Sequence, residues 1–145
     1  MTNAELEGRY RAYLGALNER RLDDLVHYVQ DELSYNGKAM TRRQYQGMIA
    51  ADIAAIPDLI YNAHIIVASG DQVACRIFFT CTPQHEFLGF SPNGERLVFA
   101  EHVFYRFRED RIAEVWSLID RSAIESQLRS HRTEPSGFYY PELNV

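Results

Sequence analysis

The hairpin formed by residues 96–108 and 111–120 carries three carboxylates that could do chemistry. With Glu109-Asp110 as a two-residue turn, Arg108 pairs with Arg111 and Phe107 with Ile112. Strand alternation then puts Glu101, Val103, Tyr105 and Phe107 on one face with Ile112, Glu114, Trp116, Leu118 and Asp120. The other face takes His102, Phe104, Arg106, Arg108, Arg111, Ala113, Val115, Ser117 and Ile119. The first face is the more aromatic, and the second has four residues that want solvent or a partner, so the first is expected to point inward. A carboxylate beside an indole ring and away from water has its charged form disfavoured. Its pKa rises toward the range useful for proton transfer near neutral pH. General acid–base catalysis is the chemistry this pattern points to. The same residues admit a structural reading: solvated strand-end carboxylates, or partners for Arg76 or Arg121, with Asp120 an N-cap for residues 122–124.

These side chains need elements to hold them. Thr2-x-x-Glu5 fits a capping box, and Leu6, Tyr10, Tyr13, Leu14 and Leu17 follow at helical spacing, giving a helix over residues 3–19. Asp23 is read as the cap of a short second helix running to Glu32. Leu33-Ser34-Tyr35 reads as a short strand ended by the Asn36-Gly37 turn. Thr41-x-x-Gln44 opens a third helix with the stripe Tyr45, Met48, Ile49, Ile53 and Ile56, which Pro57 ends. Strands follow over residues 59–68, 72–82, 96–108 and 111–120, with a Gly/Pro-rich loop over 83–95 and a short helix over 122–129. Three helices ahead of a four-strand antiparallel meander make an α+β pattern. Long antiparallel strands with helices on one face can curl into a cone whose apolar mouth suits a ligand. Residues 1–132 form the domain, and 133–145, with Phe138, Tyr139 and Tyr140, form either a docked arm or a frayed end.

Composition narrows the function classes. The chain has 145 residues, 46% hydrophobic and 24% charged, with a net charge of −5. That is one domain with a core of its own. No basic tract exists, so a nucleic-acid partner is not expected. No apolar run approaches a bilayer span, and no signal peptide is visible, so a cytoplasmic protein without a membrane partner is expected. Cys75 and Cys81 lie on one strand, roughly 20 Å apart at about 3.3 Å per residue, and are expected to be free thiols. His27, His64 and His131 have no ligand spacing, so no metal site is expected, and without a P-loop or GxGxxG no nucleotide site is expected.

Several segments together resemble a known family: Phe87-Leu88-Gly89-Phe90-Ser91-Pro92-Asn93-Gly94, then Val98, then the run from Tyr105 to Trp116, then Asp120 and Gln127-Leu128. Pro57-Asp58-Leu59 and Gly70-Asp71-x-Val73-Ala74-x-Arg76 fit the same pattern. Over residues 5–128 the chain resembles the SnoaL-like polyketide cyclases, also called predicted ester cyclases. The resemblance implies a nuclear transport factor 2-like, cystatin-like α+β barrel. It also implies cofactor-free ring closure by intramolecular aldol condensation, with the aspartate matching Asp120 as general acid/base. The family's Thr-His-x-Gly segment is Thr82-Pro83-Gln84-His85 here, so its histidine is absent and His85 reads as an exposed loop residue.

The expected function is a small cyclase- or isomerase-like enzyme acting on a hydrophobic, carbonyl-bearing small molecule. Asp120 is the expected acid/base. Trp116, Leu118, Tyr105, Val103, Glu101, Glu114, Tyr13 and Tyr35 are the expected pocket walls, and Phe87 and Phe90 belong to a covering loop. A non-catalytic binding domain and a dimeric scaffold of the same fold are the alternatives. A homodimer is expected in each case, because a long open sheet has a face and edges to cover.

Overall fold

The computed structural model describes residues 1–129. Helix α1, Asn3–Asn18, starts at the expected capping box: the Thr2 hydroxyl accepts from the Glu5 amide at 3.0 Å, and the Thr2 amide donates to Glu5 at 2.7 Å. Its apolar stripe buries Leu6, Tyr10, Tyr13, Leu14 and Leu17. Each of the leucines contributes roughly 1.5–3 kcal/mol through the area it removes from water. A second capping box, Thr41 with Gln44, starts α2, Arg42–Ala55.

The expected second helix is corrected. Residues Leu22–His27 make only a 3-10 turn, and Val29–Tyr35 is strand β1. The local helical spacing of Leu25, Val26 and Val29 loses to a pairing that it cannot reveal. β1 runs parallel to the last strand of the sheet, and the Ile112 amide donates to the Tyr28 carbonyl at 2.7 Å. The Asn36-Gly37 turn, at φ 49° and 83°, folds β1 back onto β2, Lys38–Thr41.

The remaining strands are β3, Asn62–Ser69; β4, Gln72–Cys81; β5, Leu97–Arg108; and β6, Arg111–Ile119. The sheet order is β2-β1-β6-β5-β4-β3, six strands where a four-strand meander plus one short strand was expected. Helix α3, Arg121–Arg129, follows β6. The sheet curves around α1, which lies against β3 and β4, and α2, which lies against β1 and β2. The core between them takes Val73, Cys75, Ile77 and Phe79 from β4 and Val103, Tyr105 and Phe107 from β5. Both cysteines are free and buried on this side. The aromatic residues of 133–145 lie outside the described residues.

The β5–β6 hairpin turns as expected, with Glu109 and Asp110 both at positive φ and Phe107 opposite Ile112. One residue later the alternation breaks. Arg106 pairs with Glu114, so Ala113 is a bulge residue with no partner of its own. A bulge turns every later side chain of its strand to the opposite face. The inward placement of Glu114, Trp116 and Leu118 is therefore corrected. They share rungs with Arg106, Phe104 and His102 on the outer face, where Trp116 is 38% and Leu118 75% exposed. Val115, Ser117 and Ile119 take their places inside.

Candidate functional site

The interior of the cone holds two joined lobes. The first, about 50 Å³, is walled by five phenols: Tyr13 from α1, Tyr35 from β1, Tyr45 from α2, Tyr61 ahead of β3, and Tyr105 from β5. Val103 and Val115 complete it from the sheet. The second, about 40 Å³, is apolar and runs between Ile56, Leu59, Phe79, Phe99, Ile119, Phe87 and Leu88. Three residues line both lobes: Asp52, Tyr61 and Glu101. Among the described residues no Lys, Arg or His lines either lobe.

Glu101 is the centre of this arrangement. β5 aims it inward, and the Ser117 hydroxyl from β6 donates to its Oε2. Ser117 is itself held by Asn36 at the β1–β2 turn. The Ser117 amide donates to Asn36 Oδ1 at 2.7 Å, and Asn36 Nδ2 donates to the Ser117 carbonyl at 3.2 Å. Glu101 is half-buried as a residue, but its carboxyl group is surrounded by protein, and those surroundings set its titration. Burial raises its pKa to about 7; the Ser117 hydrogen bond opposes the rise, and the charge of Asp52 adds to it. Burial alone lifts Asp52 to about 6. The phenols are pushed upward by burial first of all, so they remain donors at neutral pH. Tyr13 and Tyr45 share a hydrogen bond of 2.6 Å between their hydroxyls, and Tyr10 donates to Tyr105 at 3.3 Å.

The loop over the apolar lobe is pinned at several points. Thr82 donates its amide to Asp58 at 2.9 Å, and the amides of Gln84 and His85 reach the Ala55 carbonyl. Phe87 and Phe90 exchange backbone hydrogen bonds of 3.0 and 2.7 Å around Leu88 and Gly89, both at positive φ. Phe87 is buried against the lobe. Phe90 stacks on it at 5.9 Å and lies under the Arg121 guanidinium at 4.6 Å. His85 is exposed.

Asp120 sits elsewhere. It is exposed at the end of β6, where its carboxylate accepts from the Ala123 amide at 3.0 Å, the N-cap geometry that its position also allowed. It lines an open groove of about 390 Å³ on the outer side, with Arg76, His102, Leu118, Arg121 and Ser122. Two polar groups of that groove, Arg76 and His102, are engaged with each other. Arg76 donates to His64 Nδ1 at 3.1 Å and lies 2.8 Å from His102 Nε2.

The structure thus gathers Glu101, Val103, Tyr105, Tyr13, Tyr35 and Phe87 around the interior. It leaves Glu114, Trp116 and Leu118 outside, Phe90 at the loop surface and Asp120 at the rim. Sequence reasoning missed Asp52, Tyr45, Tyr61 and Ser117 as cavity residues. Asp52 had a signal: it lies three residues after Ile49 and four before Ile56, on the inward stripe of α2. Among the described residues no group of His, Cys, Asp and Glu could hold a metal ion, and no helix is long and apolar enough to cross a membrane.

Comparison with known proteins gives this geometry a family. The profile of the SnoaL-like polyketide cyclases matches residues 7–128. No functionally curated protein matches. A SnoaL-like polyketide cyclase from Agrobacterium tumefaciens is 42% identical with a TM-score of 0.82, the match covering 85% of this chain and 97% of that one. IdmH from Streptomyces antibioticus shares the fold at 24% identity and a TM-score of 0.75, over 86% of this chain and 98% of that one. TsrD from Streptomyces laurentii shares it at 20% and 0.79, over 88% and 97%. By its profile match and by its 42% identity over most of both chains, this protein belongs to the SnoaL-like polyketide cyclase family, with the nuclear transport factor 2-like fold.

Proposed function

We propose that this protein is a cofactor-free acid–base enzyme of the cyclase or isomerase kind. Its substrate is a hydrophobic, carbonyl-bearing small molecule held inside the cone, and Glu101 is its proton-transfer group. One observation carries the reading: a carboxyl group whose pKa burial raises to about 7 stands at the junction of a phenol-lined lobe and an apolar lobe, with no cation among the described lining residues. A group poised near the working pH is the efficient choice for moving a proton during enolisation of a carbonyl compound. Family membership supports the same class of role. The hydroxyl-rich wall suits the oxygens of a substrate, and the apolar lobe suits its hydrocarbon part.

The two lobes together hold little more than a few water molecules. Entry of a substrate therefore requires Phe87 and Leu88 to swing out, which makes the 87–93 turn a lid. The test is hydrogen–deuterium exchange at the carbon next to the carbonyl of 2-tetralone in D2O, followed by NMR. Glu101→Gln is expected to slow the catalysed exchange roughly 100-fold or more. Exchange at the wild-type rate in a folded variant would sink the reading.

The family motif puts the same role on Asp120, and one observation favours it. Asp120 follows Ile119, which lines the apolar lobe, and it borders an open groove of about 390 Å³ that Ile119 also lines. Asp120→Asn in the same assay separates the two: loss there with retention in Glu101→Gln moves the chemistry to the rim.

The outer sheet face is proposed as a homodimer surface. Ile65 and Val67 from β3, Phe104 from β5 and Trp116 and Leu118 from β6 form an exposed apolar band across it. Sedimentation velocity at micromolar concentration is expected to show a dimer that Leu118→Glu dissociates; a wild-type monomer would contradict it.

A further inference from the structure

We propose that Asp52 is the second proton-transfer group of the cavity, working with Glu101 across the junction of the lobes as a pair that holds one proton between them. The proposal rests on the reading that proton transfer takes place inside the cone. Asp52 and Glu101 come from different walls, α2 and β5, and with Tyr61 they are the three residues that touch both lobes. Asp52 stands in the last turn of α2, three residues before its end, on the inward stripe that also carries Ile49 and Ile56. Its carboxyl group has no hydrogen bond or ion pair among the described residues, and burial raises its pKa. Two carboxylates in one cavity with no cation among its described lining residues cannot both be charged cheaply, and one retained proton relieves both. The other groups facing the pair are Tyr13 from α1, Tyr35 from β1, Tyr45 from α2, Tyr61, Tyr105 from β5 and the Ser117 hydroxyl from β6. All are neutral at pH 7, so the proton that moves there belongs to the two acids.

The pair divides the work as follows. Asp52, the less basic of the two, is the carboxylate; Glu101 is the acid. The Asp52 carboxylate takes a proton from the carbon next to the substrate carbonyl. The C–H electron pair becomes the carbon–carbon double bond, the carbonyl π pair moves to oxygen, and the Glu101 acid protonates that oxygen to give the enol. The cavity ends with the proton count it began with, now on Asp52. Return of that proton to a different carbon, with Glu101 reclaiming the enol proton, completes an isomerisation. Attack of the enol carbon on a second carbonyl, whose oxygen Asp52 protonates while Glu101 reclaims the enol proton, completes an aldol closure.

The test uses the full chain with 2-tetralone as probe. Asp52→Asn is expected to slow deuterium exchange roughly 100-fold while tetralone still binds by saturation-transfer NMR. Asp52→Glu is expected to recover part of the rate. In protein labelled with 13C at the side-chain carboxyls, Asp52→Asn is also expected to move the Glu101 titration midpoint down, because a neighbouring negative charge is gone. Exchange that survives Asp52→Asn but dies in Glu101→Gln overturns the pairing and leaves interior catalysis standing. Exchange absent from the wild type overturns interior catalysis and the pairing with it. A Glu101 midpoint indifferent to Asp52→Asn also overturns the pairing.

Discussion

Glu101→Gln has a consequence for stability that can be worked out before any substrate is known. An unfolded chain leaves the carboxyl at its ordinary value of 4.5, whereas the folded protein raises it to about 7. Below pH 4.5 the group is protonated in both states and costs nothing. Between 4.5 and 7 the folded protein keeps a proton that the unfolded chain releases, so rising pH favours unfolding. Above 7 the charge is buried and the full penalty applies. At about 1.4 kcal/mol per pH unit, the wild type loses roughly 3 kcal/mol over that window. Glutamine has the same shape, can still accept from Ser117, and does not titrate. The variant should therefore match the wild type near pH 4 and exceed it by roughly 3 kcal/mol at pH 8, or roughly 10 °C in Tm for a domain of this size. Urea unfolding followed by far-UV circular dichroism at pH 4, 6 and 8 measures the difference directly. The slope left in the variant includes the contribution of Asp52. A gap of the same size at all three pH values, or one that shrinks as pH rises, would refute the buried-carboxyl argument.

Two further perturbations follow from the interior and its cover. Tyr13→Phe removes one side of the 2.6 Å hydroxyl pair and strands the Tyr45 hydroxyl in the core. The single change should cost roughly 1–3 kcal/mol in urea unfolding, and the double change with Tyr45→Phe should cost less than the sum of the singles; strict additivity would mean the hydroxyls do not depend on each other. Arg121→Ala removes the guanidinium from Phe90. Amide exchange at Phe87 and Phe90 should speed roughly two- to fivefold with little change in global stability, as loss of one exposed cation–π contact implies; unchanged exchange would show that the turn is held by its backbone alone.

Much of the architecture was legible because it is written in local rules. The two capping boxes, the stripe of α1, the Asn36-Gly37 and Glu109-Asp110 turns and the strands from 62 onward all sit where spacing puts them. The errors arise where a distant partner decides. Val29 to Glu32 has helix-like spacing, and it is pairing with Ile112 of β6 at one end and Thr41 of β2 at the other that makes it a strand. The alternation of β5 alone placed Glu101, Val103 and Tyr105 correctly. On β6 the same rule failed at Ala113, a small residue with nothing in its neighbours to announce a bulge. The preference for putting an indole indoors reinforced that error. Asp52 was passed over because Ile53 beside it satisfied the apolar stripe well enough, although the carboxylate occupies the inward position.

The bulge at Ala113 also acts as a parity bit for the site. One residue decides which half of β6 the cavity sees: with Ala113 present, a hydroxyl and two aliphatic side chains look in, and the indole looks out. Without it, the same strand would present Trp116 and Leu118 to the cavity and send Ser117 to the solvent side. Glu101 would lose its hydroxyl donor, and the lobes would fill with an indole. A single-residue deletion or insertion at this point, with no change in any side chain that lines the cavity, is thus enough to exchange a reactive interior for a packed one within the same fold.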